Sequence, residues 1–199
     1  MEKYKELIIN IIFICSESLA IILTCNLLHK FQFEYYTLDS NLFAFIIGCI
    51  YVLYLNRKKK IPRWLQITRM MTLMSLMLTF LVTLFILLPT YNFNFKFLFL
   101  GPNFFLHLFC PLLLLYIYIF LDKKKKLSNK ELLICVIPTI IYAIILITLN
   151  ILRIVKGPYK FLDVHNQSVI ASVLWFILLL LFIYLIGFTI NKISHKKSN

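Results

Sequence analysis

The stretch Ser168–Asn191, SVIASVLWFILLLLFIYLIGFTIN, contains no charged side chain. A helix needs about 20 mostly apolar residues to cross the hydrocarbon of a bilayer, so this segment alone points to a membrane protein. Working outward, the same reading recurs near Leu7–Leu28, Thr37–Asn56, Trp64–Leu88, Pro102–Leu121 and Glu131–Arg153, each bounded by polar or charged residues. The whole chain agrees: of 199 residues, 61% are hydrophobic and 15% charged, against about 25% charged in soluble domains. The expectation is an all-α polytopic membrane protein, one domain over residues 1–199 built as a bundle of six transmembrane helices. The first window is longer than the apolar core of a secretory signal and lacks a small-residue cleavage site after it, so it reads as a retained span.

The net charge of +13 accompanies too much hydrophobicity for a disordered chain or a nucleic-acid module, and its placement sets orientation. Lys3, Lys5, the run Arg57–Lys60 with Arg63, the run Lys123–Lys126 with Lys130, and Lys192, Lys196 and Lys197 make fifteen basic residues on one set of loops. The alternate loops hold Lys30, Lys96, Arg153, Lys156 and Lys160, and Arg69 falls inside a span. Cytoplasmic loops carry the Lys/Arg excess, so both termini are expected in the cytoplasm, with the protein in the cell membrane. The five cysteines show no C-x-x-C spacing, which argues against a zinc site or disulfide framework; neither metal nor cofactor is expected.

Leu, Ile, Phe and Val in the spans are explained by lipid, so information sits in the polar exceptions. In the second window Thr37, Asn41, Ala44 and Gly48 share one helical stripe, a small and polar face suited to packing against protein, with Thr37 or Asp39 as a possible N-cap. In the fourth window Asn103, His107 and Pro111 are successively four apart. Pro111 has no N–H to return to the His107 carbonyl, and a helix in lipid keeps such a defect only where side chains or water answer it. The loop before the last window, Gly157–Asn166, reads as turn chemistry followed by a polar aromatic segment; its Asp163 can orient an imidazole or cap the last span, and Arg153 before it can hold an anionic head group or snorkel. Glu17, near mid-bilayer in the first window, needs a partner, and Arg69 is the one basic residue within a span, so a structural Glu17–Arg69 bridge is expected.

Thr37 and His107 both fall in the outer third of the membrane, and a hydroxyl with an imidazole is the minimum equipment for covalent acyl transfer. Asn41, Asn103 or Ser40 can donate to an oxyanion, while Asp39 or Asp163 can orient the imidazole. No G-x-S-x-G, S-x-x-K, H-E-x-x-H, P-loop or dinucleotide fingerprint is present. The residues thus leave three readings open: a hydrolase acting on membrane lipids or fatty acid esters, a non-catalytic lipid-binding or small-molecule transport bundle, and a packing partner in a larger assembly.

Tyr35-Tyr36-Thr37 at the lip of the second window, Asn103-x-x-x-His107 with Pro111 in the fourth, the Ser40-Asn41 pair and Pro158-x-x-Phe161-Leu162-Asp163 resemble the androgen-induced and androgen-dependent membrane hydrolases and their bacterial relatives over nearly the whole chain. The resemblance implies a six-span threonine hydrolase that cleaves esters of fatty acids with hydroxy fatty acids, with Thr37 as nucleophile and His107 as base. The chain departs from that pattern at Leu108, where the family has a hydroxyl residue after its His.

Overall fold

A computed structural model describes residues 2–29, 32–90, 92–122 and 124–196. Lys30, Lys123 and Lys197, and the side chains of Lys3, Lys160 and Lys196, all counted in the charge asymmetry, lie outside the described part. The protein is helical, with no strand among the described residues. In chain order it has α1 (Glu2–Leu28), α2 (Tyr36–Asn56), α3 (Arg63–Val82), α4 (Leu88–Thr90), α5 (Lys96–Phe99), α6 (Cys110–Phe120), α7 (Asn129–Ile134), α8 (Ile137–Ile151) and α9 (Val169–Lys196). A π-helical turn over Thr83–Leu87 joins α3 to α4, and a second one, Phe105–Phe109, leads into α6.

Five stretches are long and apolar enough to cross a membrane: Tyr4–Leu28, Tyr36–Asn56, Arg63–Thr90, Asn129–Ile151 and Val169–Ser194. They coincide with five of the six windows to within a few residues. The window expected near 102–121 forms a shorter apolar helix, Phe105–Phe120. The chain reaches it through a turn at Gly101, whose φ of 55° is the left-handed backbone that glycine adopts without cost, and Pro102.

α3 is the centre of the bundle, packed against α2, α6 and α9, while α1 packs on α2 and α6. More than half of the apolar stretch in α3 is buried, against 6% in α9. The polar residues of α3 explain how it tolerates that position. Thr72 donates to the Arg69 carbonyl at 2.8 Å and Thr79 to that of Ser75 at 2.8 Å, so short side chains satisfy themselves on their own backbone and leave a slim surface for neighbours. The predicted stripe of α2 does the same: Thr37, Asn41, Ala44 and Gly48 are all buried, and a Cβ at Gly48 would come within 2.7 Å of the Ile14 side chain on α1. By contrast, α9 presents Val173, Leu174, Ile177 and Leu181 outward, and α8 presents Ile141, Ile144 and Ile145. Large side chains of this kind are at home facing hydrocarbon.

One end of the bundle is tied together by charge. Arg63 at the start of α3 grips Glu131 of α7 through two contacts, 2.7 and 2.6 Å, and donates to the carbonyls of Lys125 and Lys126. Ser128 and Glu131 form a capping box on α7, and the Asn191 amide on α9 makes both hydrogen bonds to the Leu127 backbone. Beneath this layer lies Arg69, 1% exposed. Its Nε meets Asp122 Oδ2 at 3.3 Å, its Nη2 donates to Asn10 Oδ1, and its guanidinium stacks 4.5 Å from the Tyr51 ring centroid.

The expected Glu17–Arg69 bridge is therefore replaced by Arg69–Asp122. The reason is depth. Arg69 lies level with Asn10 on α1, and seven residues separate Asn10 from Glu17, about 10 Å of helix; Asp122, at the end of α6, reaches the level of Arg69 and takes the pairing. Glu17 is fully buried, with the Cys110 thiol as its polar neighbour. Removing one member of a buried ion pair costs about 3–5 kcal/mol. Arg69→Met should lower the unfolding midpoint of the detergent-solubilised protein strongly; adding Asp122→Asn should recover part of the loss and adding Glu17→Gln none of it, as thermal unfolding of the three variants will show.

Candidate functional site

Two prolines shape the other end of the bundle. Pro111 follows the π turn Phe105–Phe109, and Pro89 follows the π turn Thr83–Leu87, each six residues after the first residue of its turn. Just ahead of the prolines, the N–H of Cys110 reaches back to the Phe105 carbonyl and that of Leu88 to the Thr83 carbonyl, the i−5 register of a π turn. The next N–H in that register belongs to Pro111 and does not exist, which frees the Leu106 carbonyl in the protein interior. Asn41 answers it. Its Nδ2 lies 3.4 Å from the Leu106 carbonyl oxygen and 2.7 Å from that of Thr37.

The wider turn presents His107 inward, 7% exposed. Its Nδ1 sits 2.9 Å from Thr83 Oγ1, a hydroxyl that is itself 1% exposed. When the imidazole is neutral with its proton on Nε2, Thr83 donates and Nδ1 accepts, which is the arrangement a general base requires. The Phe97 ring, with its centroid 6.0 Å from that of His107, lies beside the imidazole. Two π turns, one leaving α3 and one leading into α6, thus join a hydroxyl to an imidazole.

Thr37 is buried in the first turn of α2, and Tyr159 from the loop before α9 is set against both its side chain and its backbone. Burial pushes the Tyr159 phenol up to about 12, so it keeps its proton at neutral pH and remains a donor. Thr37, Thr83 and Tyr159 line one narrow cavity of about 50 Å³, otherwise walled mainly by apolar side chains such as Leu78, Phe176 and Leu180. Tyr36 and Tyr142 border this cavity on one side and a wider cleft of about 570 Å³ on the other. They are locked in place: Tyr36 Oη is 2.7 Å from Thr139 Oγ1, the Tyr36 N–H donates to Tyr142 Oη at 3.1 Å, and Tyr142 Oη donates to the Glu34 carbonyl at 2.8 Å. No side-chain cap from Thr37 or Asp39 closes the start of α2; the Tyr142 hydroxyl serves its first N–H instead.

The supporting candidates divide between these spaces. Ser40 spends its proton on the Thr37 carbonyl at 3.0 Å, and the Asn41 amide hydrogens are spent as described, so neither has a donor to spare for an oxyanion. Asn103 donates to the Phe97 carbonyl at 3.1 Å and holds the turn that delivers His107. Asp39 borders the wide cleft and not the narrow cavity. Asp163 accepts from Asn166 Nδ2 at 2.6 Å in a third, polar pocket beside Arg153. The loop that carries Tyr159 and Asp163 crosses itself closely: a Cβ at Gly157 would lie 2.7 Å from the Asp163 Cα and 2.7 Å from the Leu162 carbonyl oxygen.

Thr83 and Tyr159 are the site residues that sequence reasoning missed. Threonines in apolar helices commonly bond their own backbone, so nothing in composition singles out Thr83, but its place six residues before Pro89, as Phe105 stands before Pro111, is a signal in the sequence. The chain is thus an all-helical membrane protein with a hydroxyl–imidazole pair buried beside a small internal cavity. No protein-family model, no curated protein and no solved structure matches it.

The pairing of Asn41 with the Pro111 defect has a measurable consequence. Leaving buried carbonyls unanswered costs about 1–3 kcal/mol, so Asn41→Leu should destabilise the protein by that order. In a Pro111→Ala background, where residue 111 supplies its own N–H, the same substitution should cost less, and a double-mutant cycle on unfolding free energy in detergent measures the difference.

Proposed function

We propose that the protein is an integral membrane hydrolase of lipid esters, with Thr37 as nucleophile and His107 as base. The observation that carries this reading is the 2.9 Å contact between Thr83 Oγ1 and His107 Nδ1, buried at the edge of a cavity that Thr37 shares. Thr37 Oγ attacks the ester carbonyl while its proton passes to Thr83 Oγ, directly or through one water, as Thr83 gives its own proton to His107 Nδ1. The tetrahedral oxyanion collapses, the alcohol leaves with the proton returned by His107, and an acyl-Thr37 ester remains. Water, activated over the same relay, hydrolyses it to the free acid. Tyr159, a neutral phenol hydrogen-bonded at Thr37, is proposed to turn its proton to the oxyanion as it forms. The apolar walls suit a fatty acyl chain, in keeping with the resemblance to hydrolases of fatty acid esters of hydroxy fatty acids.

The protein is further proposed to cross the cell membrane six times, with Phe105–Phe120 as the short fourth span and both termini in the cytoplasm. The concentration of Arg57–Arg63 and Lys124–Lys130 on one end of the bundle supports this orientation. A non-catalytic lipid-binding bundle is the second reading, favoured by the wide cleft between α2 and α8.

Thr37→Ala should abolish covalent labelling by a fluorophosphonate and turnover of a fatty acid ester of a hydroxy fatty acid, with His107→Gln lowering turnover by roughly 10²–10⁴-fold. Labelling retained in Thr37→Ala and lost in Thr83→Ala would transfer the nucleophile to Thr83; a folded wild-type protein that neither labels nor cleaves would end the hydrolase reading. For topology, reporter fusions after residues 60, 126 and 196 should be active only as cytoplasmic reporters, and fusions after residues 95 and 158 only as exported ones.

A further inference from the structure

Two open spaces of opposite character meet at the outer end of α8. The wide cleft of about 570 Å³ is walled by Phe43, Pro138, Ile141, Ile145, Leu146 and Leu149, and Val155 closes it. Val155 also lines the polar pocket, about 350 Å³, together with Asn150, Arg153, Lys156, Asp163, His165 and Asn166. Both volumes lie within the roughly 300–1,000 Å³ of typical small-molecule sites, and they share the wall residue Val155, so an apolar trough and a polar cup adjoin there.

The cup is built and its cations are unspent. Asn150, 1% exposed, donates through Nδ2 to the Val155 carbonyl at 3.0 Å and accepts from the Val164 N–H at 2.8 Å, tying the two sides of the loop together. His165 is held by its Nε2 at 2.8 Å from the Asn150 carbonyl. Asp163, the acid of the cup, is engaged by Asn166 at 2.6 Å. Arg153 and Lys156 face solvent, and among the described residues neither takes part in an ion pair. Arg153 sits at a φ of 58°, a backbone conformation rare for a residue with a side chain.

An amphiphile with an anionic head and a hydrocarbon tail complements both spaces at once, because guanidinium and ammonium groups recognise phosphate oxygens and the trough removes apolar surface from water. The geometry points to a binding site for a phosphate-headed membrane lipid, its phosphate between Arg153 and Lys156 and one acyl chain passing over Val155 into the α2–α8 cleft. Neither space is lined by Thr37, Thr83 or His107, and the inference stands apart from the hydrolase reading.

The test is native mass spectrometry of the full-length protein in detergent, titrated separately with phosphatidylethanolamine, phosphatidylglycerol and diacylglycerol of matched chains, and with glycerol 3-phosphate as the soluble head alone. The wild type should retain either phospholipid at least tenfold better than diacylglycerol. Arg153→Asn, which keeps a residue tolerant of positive φ, combined with Lys156→Gln should remove that preference. Leu149→Trp, filling the trough, should reduce retention of all three lipids about tenfold, with unchanged unfolding midpoints marking both variants as folded. Equal retention of diacylglycerol and phospholipid by the wild type, or an undiminished phospholipid preference in the Arg153/Lys156 variant, overturns the site. Competition by glycerol 3-phosphate as effective as that of the lipids overturns its assignment to a membrane lipid. Should a variant fail to fold, Lys156→Glu alone, at an exposed position, serves in its place and should lower the preference by at least threefold.

Discussion

In an apolar solvent a backbone carbonyl that loses its partner has nowhere else to turn, and the end of this bundle away from Arg63 is arranged around two prolines that cause such losses. Pro89 and Pro111 each delete an N–H from a helix, and each is preceded by a π turn. The turns carry Thr83 and His107, which meet side chain to side chain. Asn41, reaching to the Leu106 carbonyl, ties α2 to the same defect. A feature that would only weaken a water-soluble helix here ties together α2, α3 and the segment leading into α6, and with them the imidazole of His107 that is buried next to the Thr83 hydroxyl.

A second polar layer lies toward the basic end, where Arg69 joins α1, α3 and α6 through Asn10 and Asp122. Thr83, the first residue of the π turn after α3, lies fourteen residues on from Arg69, about 21 Å of helix. Between the two layers the bundle is mainly apolar, with Leu73, Met74, Met77 and Cys110 and the buried Glu17 beside Cys110. Helices in lipid gain little from burying apolar surface against one another, because the solvent is as apolar as they are. Register along the bundle is accordingly specified by the layers, and the middle only has to fit, as Gly187 does where a Cβ would lie 2.5 Å from the Met74 sulfur.

The helices were legible in the sequence because a span is a local property: twenty apolar residues between charges are visible without knowing any neighbour. The buried stripe on α2 was legible for the same reason, since helical spacing alone puts Thr37, Asn41, Ala44 and Gly48 together. The answer to the Pro111 defect was half legible; the need was plain, but Asn41 as the donor depends on how α2 meets α6. Partner choice was the illegible part. Asp122 abuts a lysine run and reads as loop, yet it caps the end of α6 at the depth of Arg69, while Glu17, the conspicuous carboxylate, lies about two turns away. Asp39 and Asp163, reasonable orienters of an imidazole by sequence position, face other spaces: Asp39, in the first turn of α2, borders the α2–α8 cleft, and Asp163 the polar pocket beside Arg153.

The self-crossing at Gly157 has a mechanical consequence. With its backbone pressed against that of residues 162–163, the connection between α8 and α9 behaves as a clasp and not as a slack tether. One face of the clasp carries Tyr159 to the threonine chamber, the other carries Lys156 to the polar cup. Tyr159 and Lys156 are three residues apart on this one closely folded segment, so the chamber and the cup are walled by neighbouring positions of the same short piece of chain.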